Sequence, residues 1–258
     1  MKPVPVTQEG FAGKGWRRPT GYSFAANEVI VPLVGVEFSR AALTMPIAFV
    51  KQSGTYVAVA VMSPTKGRNF YIAAGGQWLG GYLPARLRVH PFMLARLKDT
   101  EKVALCIDRE SPLVVDADGA SEKFFEADGG LSAAVKAIFK VLQQIEQSRA
   151  ATATAVATLA DAGLIQPWQL TVKIGEQQYA PQGLHRVDEA KLASLDDAAF
   201  LKLRKSGALV LAYAHLLSLQ NVERFANLAL LQQQLAPAPL PLPSSLFTGD
   251  DSGTIRFD

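Results

Sequence analysis

The side chains best suited to chemistry in this sequence lie in GGQWLGGYLPARLRVHPF, residues 75–92. Trp78 and Tyr82 each join an aromatic body to a polar end, which suits them to ligands and to interfaces. Arg86 and Arg88 stand two apart and share a face if the segment is extended. Arginines beside aromatics hold carboxylates or phosphates through paired hydrogen bonds. His90 completes the set. These residues support three readings. One is a ligand pocket. Another is a partner-binding surface anchored by Trp, Tyr and Arg. The third is a packed turn, in which Gly75, Gly76, Gly80 and Gly81 bend the chain, Pro84 and Pro91 set corners, and Trp78 and Phe92 fill the core. The expectation taken forward is a largely structural segment with one exposed, partner-facing edge, its ligand- or partner-binding residues being Trp78, Tyr82, Arg86, Arg88 and His90.

Elsewhere the recognised chemistries find little footing. No Gly-rich loop precedes Lys-Ser/Thr, no G-x-G-x-x-G joins a strand to a helix, and no G-x-S-x-G elbow occurs. The three histidines, His90, His185 and His215, are dispersed and lack metal-ligand spacing. His215, on an apolar helix, reads as a hydrogen-bonded core histidine. Asp116-Ala-Asp118-Gly119 superficially resembles a calcium loop but lacks its later acidic positions, and reads as a hairpin turn. Asp108 and Glu110 share a strand face and would do acid–base work only inside a cleft. Cys106 is the single cysteine, has no partner for an internal disulfide, and alternates toward the core. No metal and no cofactor is expected, no catalytic residue is assigned, and the reading leans away from an enzyme.

The whole chain must position that segment. Its 258 residues are 49% apolar, enough for a sizeable core. A net charge of +3 without a clustered basic face argues against nucleic acid. The apolar run Gly207–Leu219 is shorter than the roughly 18–20 residues of a membrane span. The N-terminus has no apolar stretch behind Lys2 that would make it a secretory signal. With the lone cysteine, this predicts a soluble protein of a reducing, cytoplasmic compartment.

The expected fold class is α+β, with a mostly antiparallel β N-terminal half packed against a helical C-terminal half that contains a small β-hairpin. Residues 1–26 form an extended lead-in on which Trp16 and Phe24 offer docking groups. Residues 27–129 are mainly β. IAFVKQSGTYVAVAVMS (47–63) reads as a hairpin around Ser53-Gly54, and residues 69–76 and 102–110 as further strands. Residues 130–235 are mainly helical, opening with an apolar stripe at Leu131, Val135, Ile138, Leu142 and Ile145. A small hairpin over 168–184 stands apart from the first β region. Helices capped by Asp188 and Asp196 follow, then one longer helix over 208–235. Residues 236–258 form a proline-rich linker and mobile tail.

Five separated blocks carry a family resemblance: VPLVGVEFSRAALTMPIAFV (31–50), GGQWLGGYLPARLRVHPFML (75–94), VALCIDRESP (103–112), FFEADG (124–129), and the run from Gly183 to Phe225. In this order and spacing the chain resembles the bacterial SapC family over roughly residues 10–228. The resemblance implies a bacterial protein tied to paracrystalline surface layers and their secretion components. Family members also sit beside outer-membrane receptors and beside halogenase-like and oxygenase-like proteins. It implies an accessory or binding protein that works with a surface-layer, secretion or uptake system through a protein or peptide partner. The alternative is an enzyme of undefined class, modifying amino acids or peptides beside those neighbours. The family supplies no catalytic motif to carry over. A peptide permease that shares the name is a different, membrane-spanning protein.

Overall fold

The structure, a computed structural model, describes residues 3–96, 103–119 and 121–236. Strands Ile47–Gln52 and Thr55–Val61 pair antiparallel, as their β-branched and small apolar residues predict. Ser53 and Gly54 link them with positive φ, 47° and 86°, the geometry that suits a two-residue hairpin. Ala58 to Met62 are buried without a break, so both faces of this strand are covered. Ile30–Pro32 flanks the pair on one side. Leu184–Val187 and then Ile165–Pro167 flank it on the other, completing a five-stranded antiparallel sheet. Both edge strands end in proline, which lacks an N–H to offer another strand.

This sheet corrects one expectation. Only Val172–Ile174 and Gln177–Tyr179 form a separate hairpin. Leu184 and His185 pair with Val50 and Phe49 instead, so both halves of the chain build one sheet. A second correction concerns residues 69–76, which are not a strand. Phe70 to Ala73 are all buried, and a short apolar run looks alike whether strand or packed coil. Here Asn69 Oδ1 accepts from Tyr71 N at 2.9 Å and the chain coils, with one isolated bridge from Ile72 to Trp78.

A smaller core lies beside the first. Strands Pro3–Pro5, Val103–Asp108 and Phe92–Arg96 form one sheet, and Lys14–Trp16 sits between Val114–Asp116 and Glu122–Lys123 in another. Phe11, Trp16, Phe92, Ile107 and Phe124 fill the space between. Trp16 meets Phe92 edge-on at 4.9 Å. The lead-in is therefore woven into this core through Phe11 and Trp16. Cys106 is buried in the middle strand, and burial pushes its thiol pKa up, the opposite of what an activated nucleophile needs.

The helix Ala133–Asp161 spans both cores. At 1.5 Å per residue its 29 residues run about 44 Å. Ser132 caps its start by accepting from Val135 N. Val135 and Leu142 enter the smaller core, while Ala155, Val156 and Leu159 enter the larger. Asp188 and Asp196 cap their helices as predicted, accepting from Lys191 N and Ala199 N. The long C-terminal helix is broken into Ala208–Ser218 and Arg224–Gln234 by a tight 3₁₀ stretch, Leu219–Glu223. Its buried Asn221 donates to Ala42 O at 2.7 Å, and that tether draws the chain out of the α-helical path. The proline-rich segment from residue 237 onward lies outside the described residues.

Candidate functional site

The helix Ala133–Asp161 changes cores near Val141–Ile145, and a cleft opens there. Two turns beyond, its side chains reach the loop that leads into Phe38–Ala41. Gly35 N donates to Thr152 Oγ1 at 2.7 Å. A Cβ on Gly35 would sit 3.4 Å from that oxygen, at the near edge of ordinary van der Waals contact, so loop and helix are closely packed here. The small Ala and Thr residues of this half of the helix let the loop backbone come this close. The loop is thereby fixed, and it delivers Glu37.

Glu37 is 3% exposed and almost fully engaged. Its Oε2 accepts from Val34 N at 3.1 Å. Its Oε1 accepts from the Tyr82 hydroxyl at 2.9 Å and from Ala85 N at 2.7 Å. A carboxyl taken out of water needs such donors, because burial unpaired costs several kcal/mol. One side chain thus joins its own loop, the Gly-rich segment, and the first turn of the helix Ala85–Arg88. The cleft in front of it measures about 300 Å³ and is lined by Ser39, Arg40, Tyr82, Arg88, Gln144 and Ile145, among others.

The five residues singled out in the sequence separate into two sets. Residues 85–88 are helical, not extended, so Arg86 and Arg88 diverge at about 100° per residue instead of sharing a face. Tyr82 and Arg88 line the cleft, with the Arg88 guanidinium 5.8 Å from the Tyr82 ring centre. Trp78 stacks on Tyr71 with ring centres 5.5 Å apart, and its indole N–H donates to Tyr82 O at 3.1 Å. It supports Tyr82 from behind. Arg86 and His90 belong elsewhere. His90 stacks on Phe24 at 3.7 Å. Burial lowers the His90 pKa; the Asp108 charge opposes this and the Arg86 charge adds to it. Glu28, raised by burial, also feels Arg86.

Glu37 and Arg40 escaped the motif search. The signal for Glu37 was present: a single acid inside the apolar run VPLVGVEF, where a carboxyl must be paired if buried. Burial and then the neighbouring Glu37 charge and hydrogen bond push the Tyr82 pKa well up, with Arg88 and Arg40 opposing. Tyr82 therefore keeps its proton on Glu37 and is no base. Its remaining capacity is to accept a hydrogen bond. Arg40 and Arg88 are exposed, and among the described residues neither makes an ion pair. The cleft thus offers two guanidinium groups, the Ser39 hydroxyl, the Gln144 amide and an aliphatic wall at Ile145, which is equipment for binding an anion.

The other histidines are engaged separately. His185 meets the ring of Tyr56 edge-on. His215 is fully buried; its Nδ1 donates to Ile47 O at 2.9 Å and its Nε2 accepts from Val187 N at 3.1 Å. This fixes the tautomer and bears out the reading of a core histidine. Among the described residues no three His, Cys, Asp or Glu side chains converge as metal ligands, and no helix is long and apolar enough to cross a membrane.

Fold and cleft together define an α+β protein with an antiparallel five-stranded sheet and a charged cleft at the join of two cores. The SapC family model matches residues 6–225, and the chain belongs to the SapC family. No curated protein and no solved structure matches it.

Proposed function

We propose that this SapC-family chain is a cytoplasmic accessory protein that binds a protein or peptide partner through the cleft at Arg40, Tyr82 and Arg88. The partner belongs to a surface-layer, secretion or uptake system, as the family resemblance implies. The observation that carries the reading is a pair of exposed guanidiniums, without ion pairs among the described residues, standing over a buried Glu37 hydrogen-bonded to the half-buried Tyr82. Such a site is rigid behind and unsatisfied in front, and it favours an acidic side chain or a chain-terminal carboxylate. Trp78 has a supporting part, and Arg86 and His90 lie outside the cleft.

The test is a comparison of retention. Unaltered protein and an Arg40→Glu/Arg88→Glu variant are immobilised and exposed to the same native lysate. A protein held by the first and released by the second is expected. Equal retention of every species on both contradicts the assignment.

A further inference from the structure

The helix Ala208–Ser218, ALVLAYAHLLS, carries no Asp, Glu, Lys or Arg. Its inner face is closed by Ala208, Leu211, Ala212, His215 and Ser218, all buried. Its outer face is apolar as well. Val210 and Leu217 are 66% exposed and Tyr213 is 50% exposed. Steps of three and four place these three on one stripe. At its C-terminal end the stripe runs into a groove of about 530 Å³ formed with Glu189, Leu192 and Ala193 of the short helix Glu189–Ala193. A helix apolar all round is ordinarily covered all round, and large exposed apolar stripes mark association sites.

The charges at its two ends indicate what covers it. The groove end holds Glu189, which makes no ion pair among the described residues. The opposite end begins two residues, Ser206 and Gly207, after the last turn of the preceding helix Asp197–Lys205, whose Lys202, Arg204 and Lys205 are exposed and also without ion pairs among the described residues. Tyr213 sits near the middle. The stripe is therefore neutral at its centre, acidic at one end and basic at the other. A second copy turned by 180° about an axis near Tyr213 lays one stripe on the other and brings each basic end to an acidic end. A parallel arrangement sets like charges together. Self-complementarity of this kind is what a two-fold interface requires.

We propose that the chain forms a two-fold symmetric dimer through this face, the helix Ala208–Ser218 running antiparallel to its copy. Tyr213 then lies against Tyr213 of the partner subunit, and Val210 against Leu217 of the partner subunit. The face is distinct from the Glu37 cleft, and the proposal stands or falls independently of it.

Cysteine cross-linking reads this geometry, because the one native cysteine, Cys106, is buried. Under mild oxidation Tyr213→Cys is expected to form a covalent dimer with itself. Val210→Cys and Leu217→Cys are expected to cross-link when mixed and poorly when alone, since a disulfide needs Cα atoms within about 7 Å. Sedimentation equilibrium of the unaltered chain should give twice the chain mass, and Leu217→Asp should halve it. In case Leu217→Asp disturbs folding, a second pair leaves the stripe intact: Glu189→Lys should weaken the dimer and the added Lys205→Glu should restore it. A chain that stays monomeric at every concentration overturns the proposal. So does a dimer in which Val210→Cys links to itself while Tyr213→Cys does not.

Discussion

Glu37 and His215 are both buried polar side chains that join distant parts of the chain, yet they leave different things behind. His215 ties the helix Ala208–Ser218 to Ile47 and Val187, and both ring nitrogens are used. Apolar neighbours such as Phe49 and Trp168 surround it. His215 itself is fully buried. Glu37 ties its loop to Tyr82 and Ala85 with the same economy of partners, but it forms the back wall of a cleft whose rim carries Arg40 and Arg88. A closed polar join serves the fold alone. A join with exposed charge on its rim serves the fold and also shapes a surface, the one proposed to take a partner.

The comparison breaks most sharply at Glu37. Glu37→Ala removes an acceptor from three donors and leaves Val34 N and Ala85 N unpaired in the interior, an expected loss of about 4 kcal/mol by urea unfolding. Glu37→Gln keeps an acceptor oxygen and should lose clearly less. At His215 the effect is tied to pH. Burial depresses its pKa to about 4, below its ordinary value of 6.5. Between those values the unfolded chain binds the proton and the folded chain refuses it. Stability is therefore full above pH 6.5 and falls as pH drops toward 4, by roughly 3 kcal/mol. His90 is also depressed by burial but only partly buried, so it adds a smaller slope of the same sign. His215→Gln should flatten the profile of unfolding midpoint against pH across this window. A profile left unchanged would contradict the closed-join account.

Smaller effects sharpen the picture. Trp78→Phe keeps the stacking on Tyr71 and loses one hydrogen bond to Tyr82 O, an expected cost of about 1 kcal/mol in thermal unfolding. Arg40→Ala with Arg88→Ala should change stability by less than about 0.5 kcal/mol, because both guanidiniums are exposed and neither has an ion-pair partner to lose among the described residues. A large destabilisation there would make the two arginines part of the fold.

Much of the fold was legible because local rules and tertiary demands agree. The Ser53-Gly54 hairpin, the Asp188 and Asp196 caps, the apolar stripe opening the long helix and the core role of His215 all follow from short-range pattern. The misreadings share a cause. Residues 69–76, the placement of Leu184–Val187 and the break at Leu219–Glu223 depend on contacts across long sequence separations, such as Asn221 to Ala42, that no local period announces. The site was half legible for the same reason. Trp78, Tyr82 and Arg88 stand out by type, whereas Glu37 and Arg40 gain meaning only when the helix Ala85–Arg88 is set beside their loop. Arg86 and Arg88 looked like a pair because their spacing suits a strand, and one short helical turn separates them.

The central claim is that Arg40 and Arg88 form a prepared anion-binding edge. Selection of peptides from a random displayed library on the immobilised protein tests it most directly. Enriched peptides should carry Asp, Glu or a free terminal carboxylate, and should bind the Arg40→Glu/Arg88→Glu variant at least about tenfold more weakly, a difference of about 1.4 kcal/mol. No enrichment of acidic peptides, or equal affinity for the variant, would contradict the account.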